Sequence, residues 1–296
     1  KISSLLTAGY FDVERLVGGT GDDTLVVTPT GNMSGSFNGG LGSDTVNLSA
    51  LPAKQVALSA LGSQDGFEAI IGAAVNGKLL NFNRIIGSQT GTTDRLVGLN
   101  SESAFSLSSS GNQYTTGGRS LGFSNFEELF GGSGADSITV DFSGGNPLSA
   151  AGLTVNGQGG TDTLTTIGTA QADRFELSGV LLAVNNNSIR YSNLETLTMN
   201  AGLGADIYFS AATAFPSPLA TVNFSGQAGN DLAVLSPTTG TAYLIDGGDN
   251  TDTLKIATGG ATLNPSPPGS YLFAGRAPIN FLNMETFNVS ATQPTP

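Results

Sequence analysis

The chain contains no cysteine, no histidine and no tryptophan. Without cysteine there is no disulfide to staple the fold and no thiolate nucleophile. Without histidine as well, zinc loses its usual nitrogen and sulfur ligands. Hydrolysis by a serine–histidine or cysteine–histidine pair is excluded for the same reason. Basic residues are scarce too: 11 Lys and Arg stand against 23 Asp and Glu, for a net charge of −12. The bases are scattered, so the footprint of a nucleic-acid binder is missing, and an anionic membrane surface would repel the chain. Charged residues make up only 11%, against roughly 25% in an ordinary domain. No apolar run approaches the ~18 residues of a membrane helix, and no stripe of period 3.6 persists long enough to predict an amphipathic helix. The opening Lys1-Ile2-Ser3-Ser4-Leu5-Leu6 is too short in apolar residues for a signal peptide, so an exported protein would be represented here by a mature or excised segment.

What the chain does have is glycine, 42 of 296 residues, twice the usual ~7%, and self-similarity. The string Gly-Gly-x-Gly-x-Asp-x-apolar is complete at 18–25, 39–46 and 131–138. Partial copies place Asp162, Asp206, Asp231 and Asp252 at the same position. A second string, Asn-apolar-Glu-x-apolar, begins at Asn125, Asn193 and Asn283, with weaker copies at Asn81 and Asp12. From residues 12, 81, 125 and 193 a motif Asp follows 11 or 13 residues later, at 23, 94, 136 and 206. Such an offset predicts one structural unit used repeatedly.

Successive motif aspartates are separated by steps such as 23 to 44 and 231 to 252, with 44 to 65 as a poorer copy and 94 to 136 and 162 to 206 as double steps. The predicted fold is therefore all-β: a parallel β-helix, or β-solenoid, of roughly 13 coils of about 22 residues, each with two or three short strands. Residues 1–290 form one solenoid in this reading, and 291–296 a Pro/Thr tail. Strands are expected at Thr24–Val27, Thr45–Leu48, Ser137–Val140 and Thr253–Ile256, where the second and fourth residues after Asp are large, apolar and inward. The segments after Asp206 and Asp231 break that pattern, which predicts bulges. Pro265, Pro267, Pro268 and Pro278 mark an irregular loop. Asn81, Asn125, Asn193 and Asn283 are expected to stack as a hydrogen-bonded ladder, and Glu127, Glu195 and Glu285 to lie on a solvated face.

The nonapeptide at 18–26, 39–47 and 131–139 resembles the calcium-binding repeat of RTX proteins. With its Asn-apolar-Glu units, the whole chain is similar to the repeats of large secreted bacterial exoproteins and filamentous-haemagglutinin-like adhesins. The RTX resemblance implies calcium held between turns by Asp23, Asp44, Asp136, Asp162, Asp206, Asp231 and Asp252, with Asp23 paired to the coil of Asp44, Asp136 to that of Asp162, and the last three in a column. It departs from that family in recurring about every 22 residues instead of in tandem. Beside it stands a plainer reading, in which Gly and Asp make tight turns and Asp caps backbone N–H groups.

The functional expectation is a non-enzymatic structural or adhesive module, secreted or on a bacterial cell surface. A solenoid has two open ends. Its partners would be another copy end to end, or flanking coils of the same protein, with carbohydrate or a cell surface as the outer contact and no membrane insertion. Two alternatives remain open: a carbohydrate-active β-helix enzyme using paired carboxylates, and a calcium-dependent spacer of an RTX-type toxin or protease.

Overall fold

A computed structural model describes residues 14–29, 35–71, 77–90, 93–212 and 214–291. Lys1–Leu6, Asp12 and residues 292–296 of the expected tail lie outside the described residues. Among the described residues there are 29 strands and no helix, arranged in two mostly parallel sheets. This is the expected all-β solenoid. Packing divides the chain into two compact units where one run over 1–290 was expected. The first holds Lys1–Asp136 and Gln158–Gly160, the second Ser137–Gly157 and Thr161–Pro296.

In the first unit the chain passes from strand Arg15–Gly19 in one sheet to Thr24–Val26 in the other, then repeats the step with Ser36–Gly40 and Thr45–Asn47. Like strands pair in parallel, Leu16 on Phe37 and Leu25 on Val46. The regular winding is then interrupted twice by three-stranded antiparallel meanders, Gln55–Leu61 with Phe67–Ile71 and Lys78–Phe82, and Ser103–Ser108 with Gly111–Thr116 and Arg119–Ser124. Asp65 lies in the first of these, between two antiparallel strands, and so does not mark a coil.

The second unit repeats the design. Thr163–Ile167, Thr196–Asn200, Thr221–Ser225 and Ala242–Asp246 stack in parallel in one sheet, and Ile207–Ser210, Leu232–Leu235, Thr253–Ala257 and Thr286–Ser290 in the other. Its meanders are Arg174–Ser178 with Leu181–Val184 and Asn187–Ser192, and Leu263–Asn264 with Ser270–Phe273 and Ile279–Leu282. Pro265, Pro267 and Pro268 lie in the turn between Leu263–Asn264 and Ser270–Phe273, and Pro278 in the next one, just before Ile279–Leu282. Coil lengths follow from these insertions. Equivalent corner residues are 21 or 25 apart where the chain winds directly, and 33 or 39 apart where a meander intervenes. A uniform 22-residue coil, and a count near 13, therefore does not describe the chain.

Strand alternation builds the core. Ile138, Leu164, Leu197, Val222 and Tyr243 are registered on successive strands, and Val140, Thr166, Met199, Phe224 and Ile245 form the neighbouring column; all ten are buried. The inward pattern after Asp44, Asp136 and Asp252 is as expected. After Asp206 and Asp231 it also holds, without the predicted bulges. Tyr208 and Ser210, and Ala233 and Leu235, are buried, and the two strands pair in unbroken register. A tyrosine and a serine simply occupy inward positions that the apolar pattern did not anticipate. The register shifts lie instead at Leu58/Ala60 and Phe67/Ala69.

Candidate functional site

The motif aspartates sit at the corners, each just before a strand. In the second unit five acids line one corner column: Asp173, Asp206, Asp231, Asp252 and Glu285. The N–H of Asp173 donates to Asp206 Oδ1, that of Asp206 to Asp231 Oδ1, and that of Asp231 to Asp252 Oδ1, each at 2.7 Å. The ladder ends on Glu285, whose Oε2 accepts the Asp252 N–H at 2.7 Å. In return each aspartate carbonyl accepts an N–H from the next coil: Ile207 to Asp173, Leu232 to Asp206 and Thr253 to Asp231. At the opposite corner Asp162 donates its N–H to Glu195 Oε2 at 2.6 Å.

The first unit uses the same device. The N–H of Asp23 donates to Asp44 Oδ1 at 2.9 Å, and that of Asp44 to Asn83 Oδ1 at 3.1 Å. Asp94 accepts from Lys54 N–H and Ser88 N–H and donates its own N–H to Glu127 Oε2 at 3.0 Å. Asp136 accepts from the Ser103 hydroxyl and from Gly132 N–H. Asp65 receives Gly42 N–H at 3.1 Å from its place in the meander.

The two sequence strings are thus halves of one joint. An Asp at a corner is answered, one coil on, by the Glu or Asn at the third position of the Asn string: Asp44 by Asn83, Asp94 by Glu127, Asp162 by Glu195, Asp252 by Glu285. Glu127, Glu195 and Glu285 are backbone acceptors here; the first two are half-buried, while Glu285 is exposed as expected of a solvated face. The Asn that begins each string closes a meander in the left-handed region, with φ of 51° at Asn81, 58° at Asn125, 50° at Asn193 and 49° at Asn283, a conformation Asn tolerates better than other residues with a Cβ. These asparagines do not stack on one another. Asn81 bonds Asn38, Asn193 bonds Asn156, and Asn283 bonds Asp246. From Asn81, Asn125 and Asn193 the next Asp lies across the coil, at the opposite corner, so the offset of 11 or 13 residues measures half a turn.

The first glycine of the string has a steric purpose. A Cβ at Gly226 would collide with Asp231 Oδ2 and with the Gly247 carbonyl, and one at Gly39 with Asp44 Oδ2 and the Asn81 carbonyl. The Asp206 coil carries Ala201 at this position. Asp44, Asp94, Asp136, Asp162, Asp206, Asp231 and Asp252 are all buried, and Asp23 is half-buried. Burial raises the carboxyls of Asp44, Asp94, Asp136, Asp231 and Asp252, and pushes Asp206 up to about 7; neighbouring Asp173 and Asp231 add to the last.

Calcium takes six to eight oxygens, and this arrangement does not fit such a shell. In the Asp44, Asp206, Asp231 and Asp252 carboxyls one oxygen accepts a backbone N–H, and in Asp94 both do. Asp136 is held by Ser103 and Gly132, and Asp162 lies packed against Gly157. Among the described residues no three acids converge as a metal-binding group. The column of Asp206, Asp231 and Asp252 is present, but the residues cap backbone groups, as the plainer reading of the motif had it. Asp173, Asp94 and Asn83 belong to these ladders and were not among the expected site residues. Gly168, five residues before Asp173, was the available signal. No family model matches the chain, and no curated protein matches it.

Proposed function

We propose that the chain is a structural or adhesive repeat module of a secreted or surface-exposed bacterial protein, and that it associates end to end with a second copy of itself. The observation that carries this reading is the last coil. Phe287 and Val289 are registered on Leu254 and Ile256, which are fully buried, yet they are 41% and 38% exposed. Their strand, Thr286–Ser290, is the last in its sheet and is paired with Thr253–Ala257. At the start of the described chain, Leu16 and Leu25 are registered on buried Phe37 and Val46 but are themselves only half-buried.

Each end therefore presents core-register side chains and a strand edge, and such an edge templates further pairing. Inside the second unit the Glu195 carbonyl accepts the N–H groups of Ala220 and Thr221 from the next coil. Glu285 holds the corresponding place on the last one. Contact between unlike ends does not close on itself and gives filaments. Cysteine-free, acidic, glycine-rich composition suits an exposed module of this kind.

The test is concentration-dependent light scattering on the full chain and on the double variant F287D/V289D. The wild-type chain is expected to form linear assemblies, more readily at high salt, which screens the −12 charge. The double variant is expected to remain monomeric with an unchanged far-UV spectrum. A wild-type chain that stays monomeric at every concentration and salt would refute end-to-end association.

A further inference from the structure

We infer that Asp206, Asp231 and Asp252 are neutral carboxylic acids in the folded chain at mildly acidic pH, where an exposed aspartate is ionised, with Oδ2 carrying the proton. Their Oδ1 atoms accept backbone N–H groups, as above. Their Oδ2 atoms are buried and meet no hydrogen-bond donor among the described residues. For two of them a backbone carbonyl lies on the far side of a neighbouring glycine's Cβ position. Asp231 Oδ2 and the Gly247 carbonyl flank the same point beside Gly226, and Asp252 Oδ2 and the Asn283 carbonyl flank the same point beside Gly247. A bare carboxylate oxygen buried without a donor is costly, and a proton on it removes that charge.

The charged surroundings point the same way. Asp173 and Glu285 end the ladder, and Asp246 and Asp249 lie beside Asp252. Arg174, the base next to Asp173 in sequence, is paired with Glu176. Consecutive coils stand ~4.8 Å apart, so ionised acids would stack as buried like charges without a counter-ion, an arrangement that raises carboxyl pKa values. The first unit supplies an internal comparison. Asn83, neutral by nature, fills the rung above Asp44: its Oδ1 accepts the Asp44 N–H, and Asn83 and Arg84 N–H return to the Asp44 carbonyl. An amide matches a carboxylic acid in offering one acceptor and one donor; a carboxylate offers acceptors only.

The experiment compares the full chain with D231N, D252N and D231A by thermal unfolding between about pH 5 and about pH 8, with carboxyl carbon NMR on the wild type. The asparagine variants should unfold within roughly 2 °C of the wild type at pH 6, whereas D231A, which strands the Asp206 N–H, should lose roughly 4 °C or more. The wild-type midpoint should fall as pH rises through this range, and less steeply in the asparagine variants. NMR should show carboxyls still protonated at pH 6, a reading that needs no variant to fold. Asparagine variants as damaged as D231A, carboxyls fully ionised at pH 6, or a midpoint raised by millimolar calcium in the wild type but not in D231N would each overturn the inference.

Discussion

Glu195 and Asp162 hold each other at both ends of one joint. Glu195 Oε2 accepts the Asp162 N–H at 2.6 Å, and the Asp162 carbonyl accepts the Glu195 N–H at 3.1 Å. Replacing Glu195 by alanine leaves a backbone donor without its charged acceptor. The expected cost is about 1–3 kcal/mol, measured by urea unfolding. E195Q keeps an acceptor at the same reach and should lose clearly less; equal losses would show that the side-chain acceptor is immaterial.

Asn193 should be replaceable only by glycine. At φ 50° a residue with an ordinary Cβ is strained by roughly 1–2 kcal/mol, and the Nδ2 bond to Asn156 at 2.9 Å is lost as well. N193A is therefore expected to unfold earlier than N193G. The reverse order in a melting experiment would contradict the left-handed assignment.

Stability should fall as pH rises from mildly acidic values to neutrality. Asp206 has its folded pKa raised from 3.8 to about 7, so over that interval the folded chain binds more protons than the unfolded one. Its contribution is complete below the unfolded value and lost as pH rises through about 7. Asp44, Asp94, Asp136, Asp231 and Asp252 are raised in the same direction. Denaturant midpoints should accordingly be higher near pH 5 than near pH 8. A midpoint that rose with pH would contradict this direction.

Leu197 lies in the core column between Leu164 and Val222, with no exposed surface. Truncation to alanine should cost about 2–5 kcal/mol, because stacked coils above and below cannot both collapse into the gap. The outward neighbour Thr198 should tolerate alanine within about 0.5 kcal/mol. Chemical unfolding of the two variants side by side checks the inward–outward assignment.

Much of the architecture was readable because backbone demands are local. Gly-Gly-x-Gly-x-Asp marks a corner wherever it occurs, and the apolar residues two and four after Asp44, Asp136 and Asp252 point inward as strand alternation requires. The meanders were not readable. A strand such as Gly111–Thr116 carries nothing in its own residues to show that its partners run antiparallel, so Asp65 was counted as a coil marker. The steps from Asp94 to Asp136 and from Asp162 to Asp206 were read as two coils each, whereas each holds one 33-residue coil with a meander and half a turn more.

Alone, the sequence determined the all-β repeat, the corners and the inward columns, since these follow from glycine, aspartate and alternation over a few residues. Only the tertiary structure decided what the aspartates do. Whether a carboxyl meets a cation, water or a backbone N–H depends on a chain segment 21 to 40 residues away. Here that segment brings an N–H to one oxygen of Asp206, Asp231 and Asp252 and leaves the other buried. Burial between coils then sets the charge, because a low-dielectric corner disfavours a bare carboxylate.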